Sequence, residues 1–426
     1  MPSTAANRLW QAWMAAVVFV FPIPGTIALR NLLLLVGLVI LLATARMAGR
    51  PRLSPTLRPI AFGLAAITGW LAFHSLALAP APMLALDNLR GDWLLPLLTG
   101  ALAAFAAART GARNAVLAAV SALLAHMLWV LVWQYRLWLD LDTWAAWPTG
   151  FVPFAERDFQ SSLAGFLIAL LVAERVASVS AGLSAALLPH RFAWTALAIS
   201  LVADIVLQTR NGTLTSIALL FCATIWLSRR RPRFISVILI IAALAGASLA
   251  LDARWSGLKE SLATGWTSPS LYWLTNDPAQ RPRTSSGAPL EESAYSRAAW
   301  TRQAVIAIRE QPLGLGYGRD GFGRAIAEKY GQKGMVSSHS GWLDFALGAG
   351  LPGLVLLLLT AGIALHAGWR QFRRLDDAAG LMLCFLVGGY LLRCLVDGHL
   401  SGWRLGLFAF LGGLLVAAMK SPQQRT

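Results

Sequence analysis

Three side chains far apart along the 426-residue chain have the chemistry of group transfer. His339 lies in Ser337-Ser338-His339-Ser340-Gly341-Trp342-Leu343, just before an apolar run. An imidazole with an ordinary pKa of about 6.5 is neutral near pH 7 and can take a proton from a sugar hydroxyl. Arg210 lies in Gln208-Thr209-Arg210-Asn211-Gly212-Thr213, and Arg297 in Ser296-Arg297-Ala298-Ala299-Trp300. A guanidinium stays charged at physiological pH and matches phosphate oxygens two at a time. Two of them at a lipid–water boundary suit a pyrophosphate-linked lipid. Plainer roles stand beside these: His339 as a helix cap, Arg210 snorkelling, and Arg297 paired with Glu291, Glu292 or solvent.

Other candidates are weaker. Asp397, in Arg393-Cys394-Leu395-Val396-Asp397-Gly398-His399, can orient His339 or pair with Arg393 or Arg404, because an ionised group at membrane depth needs a partner. Arg302 shares a predicted helix with Arg297 and is carried as a substrate-binding candidate, although a solvated face also suits it and Arg309. His74 and His126 fall inside apolar runs, with His190 and His366 near the opposite ends of theirs. Gly316-Tyr317-Gly318-Arg319-Asp320-Gly321 satisfies a dinucleotide fingerprint literally, but it follows a helix and Pro312 instead of a strand, so a tight turn is the better reading. Asp140-Leu141-Asp142 has the spacing of a metal-binding carboxylate pair without further acids, and Cys222, Cys384 and Cys394 lack ligand spacing; no metal and no cofactor are expected.

The elements that must position these residues are set by composition. Hydrophobic residues make up 57% of the chain and charged ones 13%, with continuous apolar runs such as 32–44 and 351–365. That is an all-α polytopic membrane protein; a transmembrane barrel would need short alternating strands. Spans are predicted at about 9–21, 28–45, 59–79, 93–108, 114–139, 161–179, 192–209, 212–228, 234–251, 340–367, 378–395 and 403–419, twelve in all. The first follows Arg8 and resembles a signal peptide, but Pro22-Ile23-Pro24-Gly25 leads into another apolar run without a cleavage site, so it is read as a retained helix. The net charge of +16 excludes little: half of the 36 Lys and Arg residues lie in alternate short loops and tails, as membrane orientation demands, and nucleic acid is not an expected partner. Both termini are then cytoplasmic, with the long polar segment outside. Three parts follow: a bundle over 1–251, a periplasmic loop domain over 252–338 and a second bundle over 339–426. Within the loop, 255–289 is rich in Ser, Thr, Pro and Gly and reads as irregular; 291–310 reads as a helix, and 322–330 as a shorter one.

In three segments the chain resembles the O-antigen ligase and polymerase superfamily of bacterial envelope enzymes. They are Thr209-Arg210-Asn211-Gly212-Thr213; Glu292 and Ser296-Arg297-Ala298-Ala299-Trp300 with Gln311-Pro312-Leu313-Gly314-Leu315-Gly316-Tyr317-Gly318; and His339-Ser340-Gly341-Trp342-Leu343-Asp344 running into Gly350-Leu351-Pro352-Gly353-Leu354. The resemblance implies a metal-independent glycosyltransferase of an integral-membrane, GT-C-like architecture in the bacterial inner membrane, with its active site on the periplasmic face. It implies a glycan donor on undecaprenyl pyrophosphate and a lipid A–core acceptor. His339, Arg210 and Arg297 are then catalytic, with Arg157 and Gln160 at positions where the family often has polar donor-site residues. Where family members often have Asn after the histidine, this chain has Ser340.

Other functions share part of this pattern. A polymerase would extend the glycan on its carrier, and a protein O-oligosaccharyltransferase would pass it to protein. A transporter or flippase also suits twelve spans, but such proteins place functional charge near the bilayer midplane, often in two repeated halves. Here the ionisable candidates gather at one boundary, and no repeat is evident.

Overall fold

The computed structural model describes residues 4–45, 57–141, 157–207, 209–228, 257–285, 287 and 289–419. Among the described residues the only β feature is an isolated bridge between Arg283 and Pro289. The membrane-type helices are α1 (Thr4–Val20), α2 (Ile27–Ala45), α3 (Leu57–Ala77), α4 (Pro82–Leu89) running through a π turn into α5 (Leu95–Thr110), α6 (Ala112–Leu141), α7 (Arg157–Ala181), α8 (His190–Leu207) and α9 (Arg210–Ser228). After a polar region carrying α10 (Leu258–Thr267), α11 (Tyr272–Thr275), α12 (Glu292–Glu310) and α13 (Gly321–Tyr330) come α14 (Gly341–Leu375), α15 (Ala378–Cys394) and α16 (Gly402–Ala418).

Among the described residues, eight helical stretches are long and apolar enough to cross a bilayer, and α15 and α16 are shorter apolar helices. The expected span at 234–251 lies outside the described residues. A polytopic helical membrane protein is therefore the finding, whereas twelve crossings remain the expectation from hydropathy. α7 is the central post: 89% of its apolar window is buried, against 17% for α2 at the edge. Small residues let the helices close up, as packing in lipid requires. A Cβ on Gly413 would lie 2.1 Å from the Gly100 carbonyl oxygen, and one on Gly368 2.5 Å from that of Gly380.

One exchange of backbone hydrogen bonds fixes the start of α14. Gly350 has φ 75° and ψ 169° inside the helix, and Pro352 follows two residues later. The ladder is broken there, and the chain at 312–315 fills the break: Leu315 N–H donates to the Leu347 carbonyl at 2.7 Å, and Leu351 N–H donates to that of Pro312 at 2.9 Å. Trp70 of α3 donates to the Ala349 carbonyl at 2.7 Å, and His74 lies 2.6 Å from that of Leu313. The polar region and the first two turns of α14 thus form one unit, and Ala346 and Leu347 share a hydrophobic core with Trp273, Tyr295 and Phe322.

The helices expected at 291–310 and 322–330 are observed as α12 and α13. The stretch expected to be irregular instead carries α10 and α11, separated by turns. Its small residues are the reason for packing, not for irregularity. Ser261 and Gly265, one turn apart, are buried, and a Cβ at Gly265 would meet the Tyr295 carbonyl oxygen at 2.2 Å. Leu258, Leu262 and Trp266 form a stripe at helical spacing and line the cavity described next.

Candidate functional site

The ends of α7, α9 and α15 that face the polar region enclose, with α10, α12, Thr209 and the turn at Ser338 and His339, a cavity of about 1080 Å³. Arg157, Arg210, Arg297 and His339 all line it. Three of the sequence candidates, separated by 87 and 42 residues, therefore share one chamber, and Arg157 joins them. Arg393 brings a fourth guanidinium, against the carboxylates of Asp158 and Glu291. Leu214, Leu258, Leu262, Trp266, Leu395 and Val396 add apolar surface to a wall that also carries Asn211 and several hydroxyls.

Each cation is held differently. Arg210 opens α9 and donates from Nη1 to Glu291 Oε1 at 3.1 Å. Glu291 caps α12, its other oxygen accepting from Ala294 N–H at 2.6 Å, so one carboxylate ties a membrane helix to the loop helix. Arg297 is half-buried on α12, and its Nη1 donates to the Val396 carbonyl at 3.3 Å. The expected pairing of Arg297 with Glu291 is thus taken by Arg210. Gly212 explains its place in the Arg210 motif: a Cβ there would lie 2.2 Å from Ser161 Oγ and 2.9 Å from Asp204 Oδ1, so only glycine lets α9 approach α7 this closely.

His339 sits at φ 59°, a left-handed backbone that a non-glycine residue adopts at some cost. The surrounding turn compensates. His339 N–H donates to Ser337 Oγ at 2.9 Å, Ser337 Oγ donates to Asp344 Oδ2 at 2.7 Å, and Ser338 N–H donates to Asp344 Oδ1 at 2.9 Å. The imidazole stacks on Trp300, centroids 4.9 Å apart at 17°. One face is covered while the residue stays exposed toward the cavity. Desolvation by the packed protein and then the Arg297 charge lower its pKa, with Asp397 and Asp158 pulling the other way. The ring is consequently neutral at pH 7, the form that accepts a proton.

Three other candidates lie off the cavity surface. Arg302 turns away: its Nη1 donates to the carbonyls of Trp266 at 3.1 Å and Ser268 at 2.8 Å, closing the C-terminus of α10. Gln160 is wholly buried in the first turn of α7, with neither amide atom hydrogen-bonded. Asp397 ion-pairs with Arg393 Nε and accepts from Asn211 Nδ2 at 2.9 Å, the Asp–Arg pairing that the sequence left open; its influence on His339 is through charge. Nor do Asp397, His399 and Ser162 make a nucleophilic triad. Ser162 Oγ at 3.4 Å and Asp397 Oδ2 at 3.8 Å both approach the same Nε2 of His399, whereas a relay needs the two ring nitrogens used separately.

Sequence reasoning missed the cavity roles of Arg393, Asn211 and Asp158. Arg393 was visible only as a partner for Asp397, and its donation to Ser161 Oγ at 3.2 Å is invisible in sequence. Two other histidines are structural: His126 meets the Phe19 carbonyl at 2.8 Å, and His190 Nδ1 meets Arg175 at 2.8 Å. Among the described residues no group of three His, Cys, Asp or Glu is placed to hold a metal; Asp142 lies outside them, which leaves the Asp140 and Asp142 pair untested.

None of the curated proteins compared with the chain matches it. A family model described as O-antigen ligase matches residues 195–358, the stretch that holds Arg210, Arg297 and His339. That match gives coarse support to a membrane glycosyltransferase of the ligase and polymerase superfamily acting on lipid-linked glycan, and it supports an O-antigen ligase-type family member.

Proposed function

We propose that the protein is an O-antigen ligase of the bacterial inner membrane, moving a glycan from undecaprenyl pyrophosphate to an outer-core sugar of lipid A–core on the periplasmic face. The observation that carries this reading is a single cavity lined by an imidazole, four guanidiniums and a group of apolar side chains. A pyrophosphate-linked isoprenoid has the matching chemistry, charge at one end and hydrocarbon at the other. The family match over 195–358 supports an enzyme of this type.

In the proposed reaction the imidazole of His339 takes the proton of the acceptor hydroxyl as that oxygen attacks the anomeric carbon of the donor. The bond from that carbon to the pyrophosphate oxygen breaks, and the departing charge is met by Arg210 and Arg297. Arg210 is held by Glu291 at 3.1 Å before the donor arrives, so it is already oriented and exchanges one anion for another. Preorganised charge of this kind is worth a factor on the order of 100 or more in rate per donor removed. One displacement inverts the anomeric centre, and no metal is assigned a part.

The test is transfer by purified protein supplied with lipid-linked glycan and lipid A–core. Glycan covalently attached to lipid A–core is the expected product. Longer glycan still on its carrier would instead identify a polymerase, and glycan on protein an O-oligosaccharyltransferase.

A further inference from the structure

A second cavity, of about 250 Å³, lies on the other side of the His339 turn. Ser338 and His339 line the large chamber, whereas Ser337 and Gly341 line this one, so the segment between α13 and α14 is a wall shared by both. Arg319, Arg404, Asp344, Phe159 and Trp403 also line it. The proposed reaction uses none of these.

Their chemistry points to a sugar. Phe159 and Trp403 pack at 5.2 Å and 60°, and the Arg404 guanidinium lies 4.7 Å and 5.1 Å from their ring centroids while donating to Ser162 at 3.2 Å. An aromatic wall suits the apolar face of a pyranose ring, and neighbouring carboxylate, hydroxyl and guanidinium groups suit its hydroxyls. Arg319, in the Gly316–Gly321 turn, is exposed, and its charge acts on the Asp92 carboxylate. The turn itself is rigid: Arg324 donates to the carbonyls of Leu315 at 2.8 Å and Gly316 at 2.6 Å, and Asn88 donates to that of Tyr317 at 3.3 Å. An exposed guanidinium on a fixed turn over an aromatic pocket can meet an anionic substituent. The volume falls just below the range of drug-sized pockets, about 300–1,000 Å³, and suits roughly one ring.

We infer that this second cavity binds one sugar ring bearing a phosphate or carboxylate, and that the bound sugar is sensed at His339 through Ser337 and Asp344. Ser337 Oγ is the hinge of that connection, accepting from His339 N–H at 2.9 Å and donating to Asp344 at 2.7 Å. Resting on the proposed function, the inference assigns the pocket to a glycan portion of one of the two substrates.

Binding, not transfer, tests it. The full chain in nanodiscs is titrated by calorimetry with phosphorylated core oligosaccharide released from lipid A–core, the same oligosaccharide dephosphorylated, and the water-soluble glycan cleaved from the donor. Wild type and His339→Ala should bind one charged oligosaccharide equally, and which one identifies the source. Arg319→Ala and, separately, Trp403→Leu should each weaken that binding about tenfold, the scale of one charge-assisted contact. Because Arg319 is exposed, its replacement should leave the fold intact, which an unchanged melting temperature checks. Binding that is indifferent to Arg319 and to the anionic group, or that His339→Ala abolishes, overturns the inference. Failure of the wild-type protein to attach glycan to lipid A–core would overturn the proposed function and leave this binding result standing.

Discussion

At the scale of single residues, the chamber's electrostatics make predictions whose signs can be worked out. Arg297 lowers the pKa of His339, and Asp158 opposes it. If neutral His339 is the base, transfer falls on the acid side as the ring protonates. Arg297→Gln removes a positive charge, raises that pKa and moves the acid limb of the pH–rate profile to higher pH; Asp158→Asn moves it to lower pH. The two limbs, read from initial rates across pH 4.5 to about 8, should shift in opposite directions. A common direction, or no movement, would separate the titrating group from His339. Legibility at this scale followed charge. Arg210 and His339 stood out as polar side chains at the edge of apolar runs, and Arg297 as a cation on the predicted loop helix. Arg393 was hidden because Asp397, four residues on, neutralises it and gives it a local explanation.

At the scale of elements, the start of α14 depends on glycine at both sides of the exchanged hydrogen bonds. Gly314 and Gly350 have φ values of 87° and 75°, and a Cβ on either would lie 2.5 Å or 2.4 Å from backbone of the other segment. Gly350→Ala therefore combines backbone strain of about 1–3 kcal/mol with a clash that neither helix nor loop can relieve cheaply. A lower melting temperature in detergent is expected, with transfer lost because the His339 turn is anchored to that half of α14. Gly362→Ala is the control: nothing lies within 4 Å of its Cβ, and its melting should match wild type. Helix α12 was legible from Pro289, its acidic first turn and its closing Gln311-Pro312. The 312–315 insertion was not, because hydrogen bonds across more than thirty residues leave no local pattern. α10 was missed for a different reason: Ser261 and Gly265 resemble loop composition until a partner helix is there to bury them.

At the scale of the whole molecule, the cavity and the basic residues Arg175, Arg370, Arg373 and Arg374 fall at opposite ends of the bundle. α7, α9, α14 and α16 begin on the cavity side, while Arg175, Arg370, Arg373 and Arg374 lie toward the far ends of their helices. This distribution supports an outward-facing cavity under the positive-inside rule. In a background with Cys222, Cys384 and Cys394 replaced by Ser, Lys329→Cys should react with an impermeant maleimide in intact spheroplasts, and Arg370→Cys only after lysis. Reversed labelling would place the chamber in the cytoplasm. Chelator should leave transfer unchanged, and sensitivity to it would return attention to Asp140 and Asp142.

The most direct measurement is single-turnover transfer by His339→Ala with donor already bound, alongside donor affinity for the same variant. A loss on the order of 100-fold or more in rate, with donor affinity within a few-fold of wild type, is predicted for removal of the base. Transfer at the wild-type rate by His339→Ala would contradict the assignment of proton acceptance to this imidazole.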